Sequence, residues 1–430
     1  MFGPNNKLNE VSFTIERLGA IENSRISLKQ FMILSGESGV GKSYVAMMVN
    51  YIFHLLWSDK RLDVFFKENN YLFNEMRKTW KNKDRAFLFK KTKLQNWMNK
   101  DVVNYLKYMT GSNNLNAKIK IELPIPDILS FNYIEEISGL VDAADAYYRI
   151  NINEELYYLV KNEDESIERE SCFSFLLRFY LIKCIFDDYQ GFKYNYILPP
   201  SRGAAMTENV KPDTGLFQSF MDILGEINTA SPNQNNIDEH LLEQFKKLLD
   251  GRVYKDKASG LCYYETNGTN MPISAAASSI KEIAPLSLFI NRFDISYASI
   301  LIEEPEAHLH PLKQRMMADI LSLLVENNAC IQITTHSDYL IRRINELVNL
   351  YKISIIHKDS FEVACSEIGI EPYLAIDYNK IGAYLLKRNS SGKVIIECQN
   401  TVEGIKFDSF YSALRENIDN RSKIEKWLTV

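Results

Sequence analysis

The segment that most restricts this chain is Gly36-Glu37-Ser38-Gly39-Val40-Gly41-Lys42-Ser43, which fits the pattern G-x-x-x-x-G-K-[ST]. An apolar run, FMILS at 31–35, precedes it, and YVAMMVNYIFHLLW at 44–57 follows it with helical length and apolar character all round. Buried strand, glycine turn and buried helix in that order call for an α/β fold. The glycines let successive N–H groups turn inward into an anion nest, and the helix N-terminus adds its positive dipole end. In such a loop the lysine reaches the β- and γ-phosphates and the following hydroxyl ligates Mg²⁺. Gly36, Glu37, Ser38, Gly39, Val40, Gly41, Lys42 and Ser43 are therefore candidate contacts for ATP. A chance glycine-rich turn is the competing reading, and both flanks weigh against it.

A second constraint lies near residue 300. ASILIEE (298–304) and ACIQITTH (329–336) are apolar runs ending in polar groups, separated by a helical stretch, LKQRMMADILSLLVEN. Strand–helix–strand marks a parallel sheet with functional groups at the strand ends. Glu303 can hold Mg²⁺, and Glu304 can orient or deprotonate an attacking water. Taken alone, two acids in a row are as easily a solvated strand end. His336 lies 32 residues after Glu304, one strand–helix–strand step along, so adjacent strands bring both side chains to one sheet edge. A lone histidine is otherwise more often structural.

Other segments read less sharply. Residues 11–35 read as strands, as do AKIKIEL (117–123) and YNYILPP (194–200). Residues 252–268 read as a hairpin, 278–294 as a helix and 231–238 as a surface loop. The division expected is 1–57 for the N-terminal core, 58–190 for a mainly helical insertion and 191–430 for the C-terminal core. Within the insertion, residues 76–100 carry nine Lys/Arg against Asp84 alone, a local charge of +8, while the whole chain is at −5. Trp80, Phe87, Phe89 and Trp97 are interleaved. This stretch either grips a nucleic-acid backbone or is a solvated face over buried aromatics.

Composition excludes several classes. At 46% hydrophobic and 24% charged residues the chain is globular, not disordered. Six sparse cysteines with no CxxC pair suggest reduced thiols in a cytoplasmic protein. No apolar run approaches the ~18 residues of a membrane helix, so no membrane partner is expected.

The order of phosphate loop, serine motif, ILIEEPEAHLHP and TTHS resembles ABC-class ATPases. It is most similar to the RecF/SMC-like branch with the overcoming-lysogenization-defect (OLD) proteins and the ATPases of anti-phage systems such as Septu. The resemblance implies a P-loop NTPase of the ABC-head type, with a mixed, partly parallel sheet. It implies Glu303 as the Walker B acid on Mg²⁺ with Ser43, Glu304 as catalytic base, Ala307 and His308 in the D-loop, and His336 as switch histidine. Ala277-Ser278-Ser279-Ile280-Lys281-Glu282 stands where the family has its signature, 24 residues from Ser279 to Glu303. Ser279 would then meet the γ-phosphate bound in a partner subunit; from its own flanks it reads as a helix N-cap. Ile280 stands where the family usually has Gly, which suggests slow turnover. In ILPPSRG, Arg202 either approaches the phosphates or dimer seam, or pairs with an acid. Asn379-Lys380 lacks the Asp of a guanine-reading motif, so GTP specificity is not expected.

The expected partners are a homodimer or higher oligomer of ATPase heads and a separate effector, a nuclease, since no acidic nuclease cluster or paired nuclease histidines follow residue 340. The function expected is a nucleotide-gated switch in an anti-phage complex. A RecF-like DNA-repair ATPase, with DNA contact, is the alternative; a transporter subunit is disfavoured by the large insertion and degraded signature.

Overall fold

The computed structural model describes residues 9–57, 60–69, 87–137, 147–160, 169–187, 194–207, 211–229, 238–256, 259–406 and 408–428. Strands β1 (Ser12–Leu18), β2 (Ile21–Ser27) and β3 (Phe31–Gly36) lead into helix α1 (Lys42–Trp57). Next come α2 (Lys60–Glu68), β4 (Phe87–Lys90), α3 (Lys91–Thr110), β5 (Ala117–Glu122), β6 (Ile128–Ile137), β7 (Tyr147–Ile152), β8 (Glu155–Val160) and α4 (Arg169–Phe186). Strand β9 (Tyr194–Leu198), α5 (Gly215–Thr229), α6 (Glu239–Leu249), β10 (Arg252–Lys255), β11 (Cys262–Thr266), β12 (Thr269–Pro272) and α7 (Ser278–Ile290) follow. The chain ends in β13 (Ala298–Glu303), α8 (Pro311–Glu326), β14 (Cys330–Thr335), α9 (Asp338–Ile356), α10 (Phe361–Ile368), β15 (Ile381–Arg388), β16 (Val394–Cys398) and α11 (Asp408–Leu428).

A nine-stranded sheet in the order β5-β1-β2-β16-β15-β3-β14-β13-β9 organises the molecule. From β15 to β9 the strands run parallel; β15 pairs antiparallel with β16, and β1 antiparallel with both β2 and β5. The expected α/β class with a mixed, partly parallel sheet is the class adopted, and most of the sheet is parallel. All six residues of β3, β13 and β14 are buried, as strands covered on both faces require. Alternation then splits their side chains between two cores. Met32, Leu34 and Leu301 join the core that holds α1, whereas Phe31, Ile33, Ile300 and Ile302 join the core that holds α7, α8 and α9.

Helix α1 is the pin of the first core. Asn50 is fully buried and donates to Asn195 Oδ1 on β9 and Gln332 Oε1 on β14, both at 3.0 Å. Its own Oδ1 accepts the Tyr105 hydroxyl of α3 at 3.0 Å. Asp101 of α3 accepts from the Tyr51 hydroxyl at 3.0 Å and from Arg61 Nε of α2 at 2.9 Å. The insertion is thus hydrogen-bonded directly onto the helix that follows the phosphate loop.

Among its described residues the insertion carries helices α2, α3 and α4, and strands beside them. Strands β4, β6, β7 and β8 form their own antiparallel sheet, and β5 completes the edge of the large one. That edge is covered by α3: Gln95 donates to Ile121 O and Ile121 N donates to Asn99 Oδ1. Aromatic side chains of the small sheet pair across the strands, Phe89 stacking on Phe131. Phe87, Phe89 and Trp97 are all buried, so these rings are core and not a base-stacking surface. Residues 76–86, with Trp80, and nearly all of the expected 231–238 loop lie outside the described residues. The expected 252–268 hairpin forms and gains β12 as a third strand.

His54 of α1 has its ring centroid 4.9 Å from that of Tyr105. Burial, with the Arg61 charge adding to it, holds its pKa down to about 4. The folded value lies below the unfolded one near 6.5, so the stability this neutral ring carries is present above pH 6.5 and lost as pH falls toward 4. His54→Phe should remove that dependence, narrowing the loss of unfolding free energy between pH 8 and pH 5 by up to about 2 kcal/mol. Denaturant melts of both proteins at the two pH values check this; parallel pH profiles would contradict it.

Candidate functional site

Parallel strands β3, β14 and β13 end at one edge of the sheet, with Ser35 opposite Thr335 and Thr334 opposite Glu303. Buried interiors leave their charged groups only at these ends. The turn after β3 wraps back to α1 through three glycines in the left-handed region, Gly36 (φ 137°), Gly39 (φ 72°) and Gly41 (φ 95°). Gly36 is irreplaceable on a second count: a Cβ there would sit 2.3 Å from the Leu386 carbonyl oxygen of β15. Arg388, at the end of β15, donates to Gly39 O at 2.9 Å and braces the loop from outside.

Lys42 and Ser43 open α1 beneath this loop. Lys42 is buried, and its ammonium donates to Gly36 O at 3.2 Å and Glu37 O at 2.9 Å. It also lies 2.7 Å from His336 Nε2, so that nitrogen is the acceptor and the ring is neutral. Burial lowers the Lys42 pKa to about 8, against the opposing charges of Glu304, Glu306 and Glu303. Burial, then the Lys42 charge, likewise pushes His336 below its ordinary value.

The acids sit across from the lysine. The Ser43 hydroxyl donates to a carboxylate oxygen of Glu303. Burial raises the Glu303 pKa, with the Ser43 hydrogen bond acting against it. Two adjacent hard oxygen donors, one of them a carboxylate that burial disfavours in its charged form, fit a divalent cation such as Mg²⁺. Glu304 is half-exposed and its Oε1 lies 3.7 Å from His336 Nε2. Its backbone is in the left-handed region, φ 47°, and its N–H donates to Thr334 O at 3.0 Å and Thr334 Oγ1 at 3.2 Å. The fold therefore brings Lys42, Ser43, Glu303, Glu304 and His336 into one cluster.

Glu306 is the member that sequence reading underrated. Its Oε1 accepts from the Thr335 hydroxyl at 2.8 Å and from His336 N–H at 2.6 Å, while its buried Oε2 has no partner. It holds His336 at the end of β14 through the backbone. The signal was present in the spacing of three acids around Pro305 beside Thr335-His336.

Ser279 is not in this cluster and is not an N-cap. Ile280 N–H and Lys281 N–H both donate to Ala277 O, so α7 starts two residues earlier, with Ala277 as its cap and no side chain closing the first turn. Ser279 stands second in the helix, half-buried. Arg202 is buried against Glu282 and the carbonyl of Glu303. Of the two readings offered for it, the acid pairing is the one observed. Asn379 and Lys380 hydrogen-bond to Asp377 and Glu326.

Among the described residues no helix is long and apolar enough to cross a membrane. No curated protein matches the chain. Similar solved structures include an SMC head bound to the C-terminal winged-helix domain of ScpA, at 11% identity and TM-score 0.37, covering 91% of this chain and 98% of that one. Another is an SMC head domain from Thermotoga maritima, at 11% identity and TM-score 0.34, covering 91% and 100%. A third is an Smc head with an extended coiled coil bound to the C-terminal domain of ScpA from Pyrococcus furiosus, at 10% identity and TM-score 0.38, covering 97% and 100%. The family model described as AAA ATPase domain matches residues 10–341, more than three quarters of the chain, and the protein belongs to that family of nucleotide-binding ATPases.

Proposed function

We propose that this protein hydrolyses ATP with Mg²⁺ and uses the cycle as a switch between separate and paired ATPase heads. The observation that carries the reading is the cluster at the sheet edge: one buried ammonium, a hydroxyl–carboxylate pair, a free-standing carboxylate and a neutral histidine. The triphosphate would lie along the glycine turn, where Lys42 exchanges its carbonyl and His336 contacts for phosphate oxygens. Ser43 and Glu303 would hold Mg²⁺, which when bound offsets phosphate charge. Glu304 accepts a proton as the water oxygen bonds to the γ-phosphorus. The bond from that phosphorus to the β–γ bridging oxygen breaks, and ADP leaves with the electron pair. His336, freed from Lys42, donates to the γ-phosphate once protonated or in its Nε2–H tautomer.

The uncapped start of α7, with Ser279 in its first turn, is a ready donor for the γ-phosphate of a second copy. That supports an ATP-dependent homodimer. The likeness of EEPEAHLHP and TTHS to the OLD and Septu-type ATPases supports a role in an anti-phage complex, in which the paired state acts on a separate nuclease. Phage challenge of cells expressing the chain with its neighbouring genes tests that role; protection that survives Lys42→Ala counts against it.

Two variants test the chemistry. Lys42→Ala should weaken Mg-ATP binding by roughly 10- to 100-fold, the loss expected for charge-assisted hydrogen bonds. Calorimetry measures it, and undiminished affinity would sink the phosphate-loop assignment. Glu304→Gln should keep ATP bound and slow hydrolysis by roughly 10²- to 10⁴-fold, because the amide cannot take a proton. Light scattering should then find an ATP-bound dimer accumulating. Wild-type turnover in this variant would move the base elsewhere, with Glu306 next in line.

A further inference from the structure

Arg202 is among the largest fully buried side chains, at 2% exposure, and the chemistry above makes no use of it. It follows β9 in a loop that turns through Ser201 at φ 57°. Its Nε donates to Glu282 O of α7 at 2.8 Å. One terminal nitrogen donates to Glu303 O of β13 at 2.8 Å and to Pro199 O at 3.1 Å. The Glu282 carboxylate stands 3.6 Å from Nε and accepts the Gly203 N–H at 3.1 Å. The loop lies hard on the helix: a Cβ at Gly203 would meet Glu282 Oε1 and Lys281 Cβ at 3.0 Å. Within β9 itself, the Tyr196 hydroxyl donates to Pro285 O at 3.2 Å, anchoring α7 a second time.

A buried guanidinium is a poor device for stability alone, since a well-packed apolar side chain often does as well. Its value here lies in which groups it joins. The Glu303 carbonyl and the Glu304 N–H belong to one planar peptide. Arg202 holds the carbonyl end of that plane, and Thr334 holds the N–H end through its carbonyl and hydroxyl. Fixing the plane at both ends holds Glu304 in its left-handed backbone and sets where its carboxylate starts. The same guanidinium grips the start of α7, five residues or fewer from Ser278 and Ser279.

We propose that Arg202 is a positioning residue that ties the Glu303–Glu304 peptide to the start of α7, so that the catalytic carboxylate is aligned by the position of that helix. A shift of α7 on pairing with a second head would tilt the peptide and re-aim Glu304. The proposal rests on Glu304 being the base.

Arg202→Lys is the test, because one ammonium cannot span Glu282 O and Glu303 O as the planar fork does. ATP affinity and single-turnover hydrolysis are measured in the wild-type and Glu304→Gln backgrounds, with thermal melts as a check on folding. Hydrolysis should fall roughly 10- to 100-fold, as for a slight misplacement of a catalytic group, with ATP affinity held within about threefold. In the Glu304→Gln background the lysine should cost nothing further, a result that a merely structural role would not produce. Wild-type hydrolysis by Arg202→Lys, or the same fractional fall in both backgrounds, would overturn the proposal. Wild-type hydrolysis by Glu304→Gln alone would remove the base assignment, and the proposal with it. If Arg202→Lys does not fold, Glu282→Gln serves. It keeps the side-chain volume and the carbonyl contacts while removing the charge beside the guanidinium. It should lower hydrolysis about threefold or more without loss of affinity, again only when Glu304 is present; unchanged hydrolysis overturns the proposal.

Discussion

Strands β3, β14 and β13 are buried on both faces, and this single constraint shapes everything else. A strand with no solvent face carries charged groups only at its ends, and parallel neighbours end on the same side. Lys42 and Ser43 begin α1 just past β3, Glu303 closes β13, and Thr335 and His336 close β14. The charges could not have been dispersed without breaking the two cores that the sheet separates. Their crowding has a visible consequence: burial pulls Lys42 down toward neutrality and pushes Glu303 and Glu306 toward protonation. Such a cluster is poised to take in a polyanion with its cation, which supplies the charges that burial withholds.

The nucleotide half of the molecule was legible because its signals are local. A glycine-rich turn between an apolar strand and an apolar helix needs about two dozen residues to be recognised, and 298–336 reads in the same way. The register of Glu303 against Thr334 then follows from strand length. What the sequence did not disclose depends on partners far away along the chain. Gly36 is fixed by the carbonyl of Leu386, some 350 residues later. The small sheet within the insertion was not legible beside its helices, because pairings such as Phe87 with Phe131 leave no local period. Arg202 was an open choice since no local pattern says which carbonyls a buried guanidinium will meet. The cap expected at Ser279 stands two residues earlier, on an extended Ala277.

Two buried polar links join the sheet edge that holds the candidate site to the rest of the chain. Asn50 joins α1 to β9, β14 and, through Tyr105, to the insertion. Arg202 joins β13 to α7. Both lie in a low-dielectric interior, where breaking one partner leaves another stranded at a cost of roughly 1–3 kcal/mol. Under the proposed switch, movement of the insertion or of α7 would act on the elements that carry Ser43 and Glu304.

The central claim is that three strand ends form one ATP site. Amide hydrogen exchange, with and without Mg²⁺ and a non-hydrolysable ATP analogue, tests it most directly. The account predicts that residues 36–43, 303–306 and 334–337 gain protection together and over the same range of nucleotide concentration. Protection confined to the glycine loop, with the ends of β13 and β14 unchanged at saturation, would contradict it.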